Sequence, residues 1–168
     1  MKVKITGLLV VFLFLAAAFS GQTAAADLAA EQTLAKQVLI LGSFKDYKDA
    51  LNSAQKNGQL TGLPYSSRGM VFDTARGLIW PDNYEDEIYA GSYSGRRYTD
   101  ECGGDVHACL TIEKSDFYAG MQPGYYIVVA GIYDEGDKSG ANSQLQKLKK
   151  IVPDAYLKST KIYMGCMH

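Results

Sequence analysis

Aromatic side chains concentrate in one segment, between about residues 74 and 123, which holds the only tryptophan of the chain. The face of an aromatic ring packs well against the C–H face of a sugar, and neighbouring arginines and acidic residues would complete such a surface. The residues predicted to bind a carbohydrate are Trp80, Tyr84, Tyr89, Tyr93, Arg96 and Arg97. Because amphipathic aromatics are common at half-buried positions, the simpler interpretation is that Trp80, Ile88 and several tyrosines cap an apolar sheet face.

Catalytic groups are scarce in this chain. It has two histidines, His107 and His168, and no serine in a nucleophile-elbow motif. The acidic cluster near residue 85 offers Glu85, Asp86 and Glu87 to a carboxylate-based glycan hydrolase, but a solvated acidic turn is the expectation. The cluster also lacks the alternating oxygen ligands and central glycine of a calcium loop. The sequence therefore predicts a non-enzymatic protein without a metal or cofactor, and a hydrolase is the weaker alternative.

Two of the three cysteines lie close together. Cys102 and Cys109 enclose six residues, and in an oxidising compartment they are the favoured disulfide pair. The chain-entropy model gives about 2.5 kcal/mol for so short a loop. Pairing of Cys166 with either of them stays open at this stage. A zinc site with His107 is disfavoured, because the spacing fits no standard site and a fourth ligand is not evident.

The first residues have the organisation of a secretory leader. Lys2 and Lys4 precede the apolar run Ile5–Phe19, and Ala24–Ala26 offers small residues to a signal peptidase. We expect residues 1–26 to be a cleaved signal peptide, with an uncleaved signal anchor as the alternative. The apolar run is shorter than the about 20 residues of a membrane span, so no stable membrane insertion is expected after cleavage. The predicted location is the periplasm or cell envelope.

The mature chain has the composition of one globular domain. Removing 26 of 168 residues leaves 142, enough for a single core. The leader contains two lysines, so the formal net charge changes from −1 to −3 on cleavage. A mildly acidic chain without a basic block argues against a nucleic-acid partner.

A repeated pattern indicates how these residues are positioned. Val38–Phe44 and Ile127–Tyr133 are aliphatic runs that both end in glycine, one further residue and an aromatic, and an acidic helix start follows each. A repeated strand and helix unit implies two similar halves packed side by side. Asp46 and the acidic residues 134–137 are predicted helix caps.

The predicted fold class is α+β, a ferredoxin-like βαββαβ antiparallel sheet with two helices on one face. After a lead-in segment at 27–37, the first half is expected to have a strand at 38–44, a helix ending at Asn57–Gly58 and a strand at 65–72. The second half is expected to have a strand at 125–133, a helix and a strand at 156–164. The apolar stripe of that second helix is Ala141, Leu145, Leu148 and Val152. A Tyr- and Gly-rich insertion spans about 74–123 and includes a short strand at 108–112.

Two segments resemble a known family. Leu39–Phe44 is similar to the opening strand of bacterial SPOR (sporulation-related repeat) domains. Tyr126–Tyr133, the lysine-rich helix after it and Pro153–Lys158 look like their second half. The resemblance covers roughly 38–73 and 125–165, and makes 38–168 a SPOR-like domain with an insertion. It implies binding of peptidoglycan glycan strands that have lost their stem peptides.

Two positions depart from the family pattern. Where the family usually has glutamine on the first strand this chain has Ile40, and Val129 replaces a polar or basic residue on the third strand. Both positions lie on the sheet face opposite the helices, where the resemblance places the glycan. An apolar patch of this kind is seldom left open to water, so we expect the 74–123 insertion to bury both residues.

The sequence therefore predicts an exported, non-enzymatic binding module of the bacterial cell envelope. Peptidoglycan glycan strands are the first expected partner. An envelope protein, bound by an inhibitor or immunity-type module, is the alternative.

Overall fold

The computed structural model describes residues 33–95, 102 and 109–163. The elements are β1 (Thr33–Phe44), α1 (Tyr47–Thr61), β2 (Val71–Asp73), β3 (Gly77–Ile79), β4 (Thr111–Lys114), a 3-10 turn (Ser115–Phe117), β5 (Tyr126–Asp134), α2 (Lys138–Lys149) and β6 (Tyr156–Tyr163). Four strands form an antiparallel sheet in the order β4-β5-β1-β6, and β2 and β3 form a separate hairpin. The predicted α+β class is confirmed, and the strand order is compatible with a ferredoxin-like arrangement. The predicted signal peptide lies outside the described residues.

The first strand is longer than predicted. β1 begins at Thr33, so residues 33–37 belong to the strand and not to a lead-in segment. The cause is β6, which pairs with β1 from Thr33 opposite Tyr163 to Ile40 opposite Tyr156. Pairing along the whole edge extends the strand beyond its apolar centre.

The end of the first helix was also predicted wrongly. Asp46 caps its start as expected, since its carboxylate accepts a hydrogen bond from the Lys48 amide at 2.7 Å. The helix then continues past Gly58 to Gly62, whose φ of 74° ends it in the left-handed conformation. A Cβ atom at Gly58 would lie 2.9 Å from the Leu63 carbonyl oxygen, so this glycine allows close packing and is not a stop signal.

The prediction of a sheet strand at 65–72 is wrong. Tyr65 makes only an isolated bridge to Leu110, and Arg68 and Gly69 have φ values of 61° and 83°. Two successive positive φ values turn the chain and interrupt any extended pairing. The second strand of the sheet is instead β4, close to the short strand expected at 108–112. Most of the aromatic insertion therefore lies between α1 and β4.

Both helices pack on one face of the sheet. The buried cluster on that face combines alternate residues of β1 and β5 with both helices, namely Leu39, Leu41, Val128, Ala130, Ala50, Ala54, Ala141 and Leu148. Asp137 caps α2 by accepting from the Gly140 amide at 3.0 Å, which confirms the predicted cap. Neither helix in the described part of the chain has the length and apolarity needed to cross a bilayer.

Candidate functional site

The sheet face opposite the helices carries a second apolar cluster. Its buried members are Val38, Ile40, Tyr118, Ile127, Val129 and Ile162, with Met121 packed against them. Ile40 and Val129 are both 0% exposed. Tyr118 and Met121 belong to the 74–123 segment, so the prediction that this segment buries Ile40 and Val129 is confirmed.

The cover is the chain between β4 and β5, residues 115–124, which we call the covering segment. Near its start, Ser115 Oγ donates a hydrogen bond to the Gln122 carbonyl at 2.8 Å and so closes the segment into a loop. At its far side, Thr160 Oγ1 on β6 donates to the Ala119 carbonyl at 2.9 Å. The covering segment thus crosses the sheet from β4, at one edge, to β6, at the other.

The covering segment leaves one part of this face open. A groove of about 330 Å³ remains between it and the ends of β1, β5 and β6. Residues that line the groove include Ser43, Gln122, Tyr125, Ile127, Tyr156 and Lys158. The volume is at the lower end of the roughly 300–1,000 Å³ typical of small-ligand sites. The groove is the candidate binding site.

The groove combines tyrosine rings with polar groups. Tyr156 is 39% exposed, and its hydroxyl lies 3.1 Å from Ser43 Oγ. Tyr125 is half-buried, and the Lys45 ammonium lies 3.8 Å from the centre of its ring. Rings can pack against the C–H face of a sugar, while hydroxyl, amide and ammonium groups bind its oxygens. This arrangement is chemically suited to a carbohydrate.

The predicted site residues lie elsewhere. Trp80 is 8% exposed, stacks on Tyr84 with ring centroids 4.2 Å apart, and donates from Nε1 to Ser94 Oγ at 2.6 Å. Tyr84, Tyr89 and Tyr93 are half-buried and pack with Trp80 against the helix-face cluster. Trp80 therefore packs in the core and does not cap Ile40 or Val129. None of these four residues lines the groove.

Arg96 and Arg97 lie outside the described residues. The prediction that the six residues together form a sugar-binding surface stays a prediction.

Tyr93 belongs to a buried polar network at the β4 edge. Its hydroxyl donates to Glu113 Oε2 at 2.6 Å and accepts from the Lys114 amide at 2.9 Å. Glu113 is fully buried, and its other oxygen is 3.3 Å from Arg68 Nη1 and 3.0 Å from Thr111 Oγ1. Because Arg68 and Tyr93 come from the chain between α1 and β4, the network attaches that chain to the sheet.

Stability is expected to fall above about pH 10. Unfolded tyrosine ionises near pH 10, whereas burial and the negative charge of Glu113 raise the pKa of Tyr93 well above that value. As the pH rises, the unfolded chain loses the Tyr93 proton first. The contribution of Tyr93 to the free energy of unfolding is therefore fully present below pH 10 and then decreases by about 1.4 kcal/mol per pH unit until the folded pKa is reached. Urea unfolding from about pH 8 to 11.5 should give a shallower decline for Tyr93→Phe, and equal slopes would contradict this assignment.

The acidic cluster forms a capped turn and does not line the groove. Arg76 Nη1 lies 2.7 Å from Asp82, and this hydrogen bond and charge hold the pKa of Asp82 below its usual range. Asp86 accepts from the Ile88 amide at 3.0 Å, and Glu85 and Glu87 are exposed. Across residues 33–95, 102 and 109–163, no group of three or more His, Cys, Asp or Glu residues is placed to hold a metal ion.

The structure joins Cys102 and Cys109 in a disulfide, with their Cα atoms 5.6 Å apart. The favoured pairing is therefore confirmed. Cys166 lies outside the described residues.

The groove residues Ser43, Tyr125, Tyr156 and Lys158 were missed by the sequence analysis. A signal for two of them exists on β6, where Tyr156 and Lys158 share the alternation of Thr160 and Ile162 toward the covered face.

Comparison of the chain with protein-family models, with curated proteins and with solved structures finds no match. The resemblance to SPOR domains therefore rests on the quoted residues alone, and what it implies about the ligand is part of the proposal below.

Proposed function

We propose that this protein is an exported, non-enzymatic binding module of the bacterial cell envelope and that it binds peptidoglycan glycan strands in the groove. The observation that carries the proposal is the groove itself, on the sheet face opposite the helices, with Tyr125, Tyr156 and Lys158 among the residues that line it. The SPOR resemblance independently implies a glycan on this face.

The covering segment determines how much of the sheet such a ligand can contact. Tyr118 and Met121 occupy the centre of the face, over Ile40 and Val129. A glycan would therefore bind at the end of the sheet formed by Ser43 and Tyr156, and not along the central strands. Binding there depends on a short row of aromatic and polar contacts instead of a long flat surface.

Export is supported by two features of the chain. The disulfide between Cys102 and Cys109 is of the kind that persists in oxidising compartments outside the cytosol. Residues 1–26 have the basic, apolar and small-residue regions of a secretory leader.

Replacing Tyr156 with alanine is expected to weaken glycan binding several-fold, because a stacked aromatic contributes on the order of 1 kcal/mol beyond simple burial. Co-sedimentation with amidase-treated sacculi measures the affinity, and circular dichroism checks the fold. Phe72→Ala is the matched control, since Phe72 is similarly exposed, at 43% against 39%, but lies on the β2–β3 hairpin. Equal binding by wild type and Tyr156→Ala would contradict the groove as the site.

An envelope protein is the second candidate partner. The observation that favours it is a set of exposed apolar side chains between α1 and β4, with Val71 and Phe72 adjacent on β2 and Ile88 83% exposed. Exposed apolar side chains that form a contiguous patch often mark protein contacts. If the wild-type chain binds neither intact nor amidase-treated sacculi, this second function becomes the stronger one.

Release of soluble sugar fragments in the same experiment would instead indicate the carboxylate-based hydrolase.

A further inference from the structure

Lys158 is a cation in a partly enclosed place, and no acid of the described part of the chain pairs with it. Its side chain is half-buried and lines the groove. Two other enclosed cations have carboxylate partners, Lys36 in Asp134 and Arg68 in Glu113, and half-buried Lys114 donates to the Arg76 carbonyl. Within residues 33–95, 102 and 109–163, no Asp or Glu forms an ion pair with Lys158. A partly desolvated ammonium loses hydration that only an anion or strong acceptor can replace.

A second ammonium lies beside the groove, against the ring of Tyr125. Lys45 is placed over the Tyr125 ring and, like Lys158, has no ion pair with an acid of the described residues. Asp116, on the covering segment, accepts a hydrogen bond from the Gly124 amide at 3.1 Å. The groove therefore has one lining cation, Lys158, and a second cation beside its Tyr125 ring.

The charge of the whole molecule makes these two lysines more significant. The chain has a formal net charge of −1, and −3 without the leader, so its overall field does not attract an anionic polymer. Attraction of an anion to this protein must come from a local group. Among the residues that the structure describes, Lys158 is the only lysine or arginine that lines the groove.

We propose that the groove recognises a carboxylate on the sugar, the free lactyl carboxylate of muramic acid, and that Lys158 pairs with it. Removal of the stem peptide converts the lactyl amide into this carboxylate, so the charge distinguishes a stripped glycan from an unstripped one at the sugar itself. Lys45 adds positive potential at the Tyr125 end. This inference rests on the proposed function and extends it to the chemical group that is bound.

The test compares three glycan preparations in co-sedimentation with the mature protein. The first is amidase-treated sacculi, the second is the same material with its carboxylates converted to neutral amides, and the third is intact sacculi. Wild type should bind the first about tenfold more tightly than the second, as a charge-assisted hydrogen bond implies. Lys158→Met, which keeps an apolar stem, should lose this difference.

Lys161→Met is the matched control, because Lys161 is exposed and lies three residues further along the same strand. It should keep the tenfold preference, and circular dichroism should show all variants folded. If wild type binds the first two preparations equally, or if Lys158→Met keeps the preference, the carboxylate inference is overturned while glycan binding stands. Tighter binding to intact than to amidase-treated sacculi would mean that the bound carboxylate belongs to the stem peptide. That result would also overturn the inference. Binding to none of the three would overturn the proposed function itself.

Discussion

Replacing Glu113 with glutamine is expected to lower the free energy of unfolding by about 3–5 kcal/mol. The change removes one charge and leaves the shape of the side chain nearly unchanged. Arg68, whose side chain is 2% exposed, would then lose the carboxylate that lies 3.3 Å from its Nη1. Removing one member of a buried ion pair costs more than the pair contributes, because the remaining ion has already given up its hydration. Urea unfolding at neutral pH measures the loss.

The double variant Glu113→Gln with Arg68→Met separates this explanation from simple loss of packing. Removing both charges eliminates the desolvation penalty, so the double variant should recover much of the stability lost by the single one. A single variant that loses less than about 1 kcal/mol would mean that water or another group compensates Arg68. An additive double variant would show that the two side chains are not coupled.

The same network explains why β4 was predicted only as a short strand of the insertion, at 108–112, and not as a strand of the main sheet. β4 has Thr111 and Glu113 on one face and Ile112 on the other, and all three are buried. The burial of a carboxylate such as Glu113 can be predicted only when its hydrogen-bond partners are known. Those partners are Arg68 and Tyr93, which are distant in the sequence. By contrast, β1 and β5 were predictable, because both faces of a central strand are apolar.

The part of the groove on β1 was out of reach of sequence analysis for a different reason. β1 has register shifts between Leu39 and Ile40 and between Ile40 and Gly42. Simple alternation from Ile40 would place Gly42 and Phe44 on the covered face, but the irregularity places Ser43 there, opposite Ile127. A shift of one residue exchanges the two faces of a strand, and no local pattern indicated it. The burial of Ile40 and Val129 could be predicted because it required only their apolar character.

Replacing Trp80 with alanine is expected to lower the free energy of unfolding by about 3–5 kcal/mol, the usual cost of emptying a large aromatic site. Trp80 packs with Leu78 and Met70 in the helix-face cluster, and its ring stacks on Tyr84. The variant also leaves the buried hydroxyl of Ser94 without the indole donor. Trp80→Phe should cost less, because it refills most of the space but not the hydrogen bond.

Because Trp80 lies outside the groove, its substitution should change stability and not glycan binding. Below its melting temperature, folded Trp80→Ala should bind amidase-treated sacculi as wild type does, whereas Tyr156→Ala should lose binding with little change in stability. Urea unfolding and co-sedimentation at low temperature measure the two quantities on the same preparations. If Trp80→Ala kept its stability and lost binding, the surface around Trp80 and not the groove would bind the glycan. A Trp80→Ala variant that loses stability and keeps binding would support separate roles for the two regions. The chain around Trp80 would stabilise the β4 edge, and the groove on the covered face would bind the glycan.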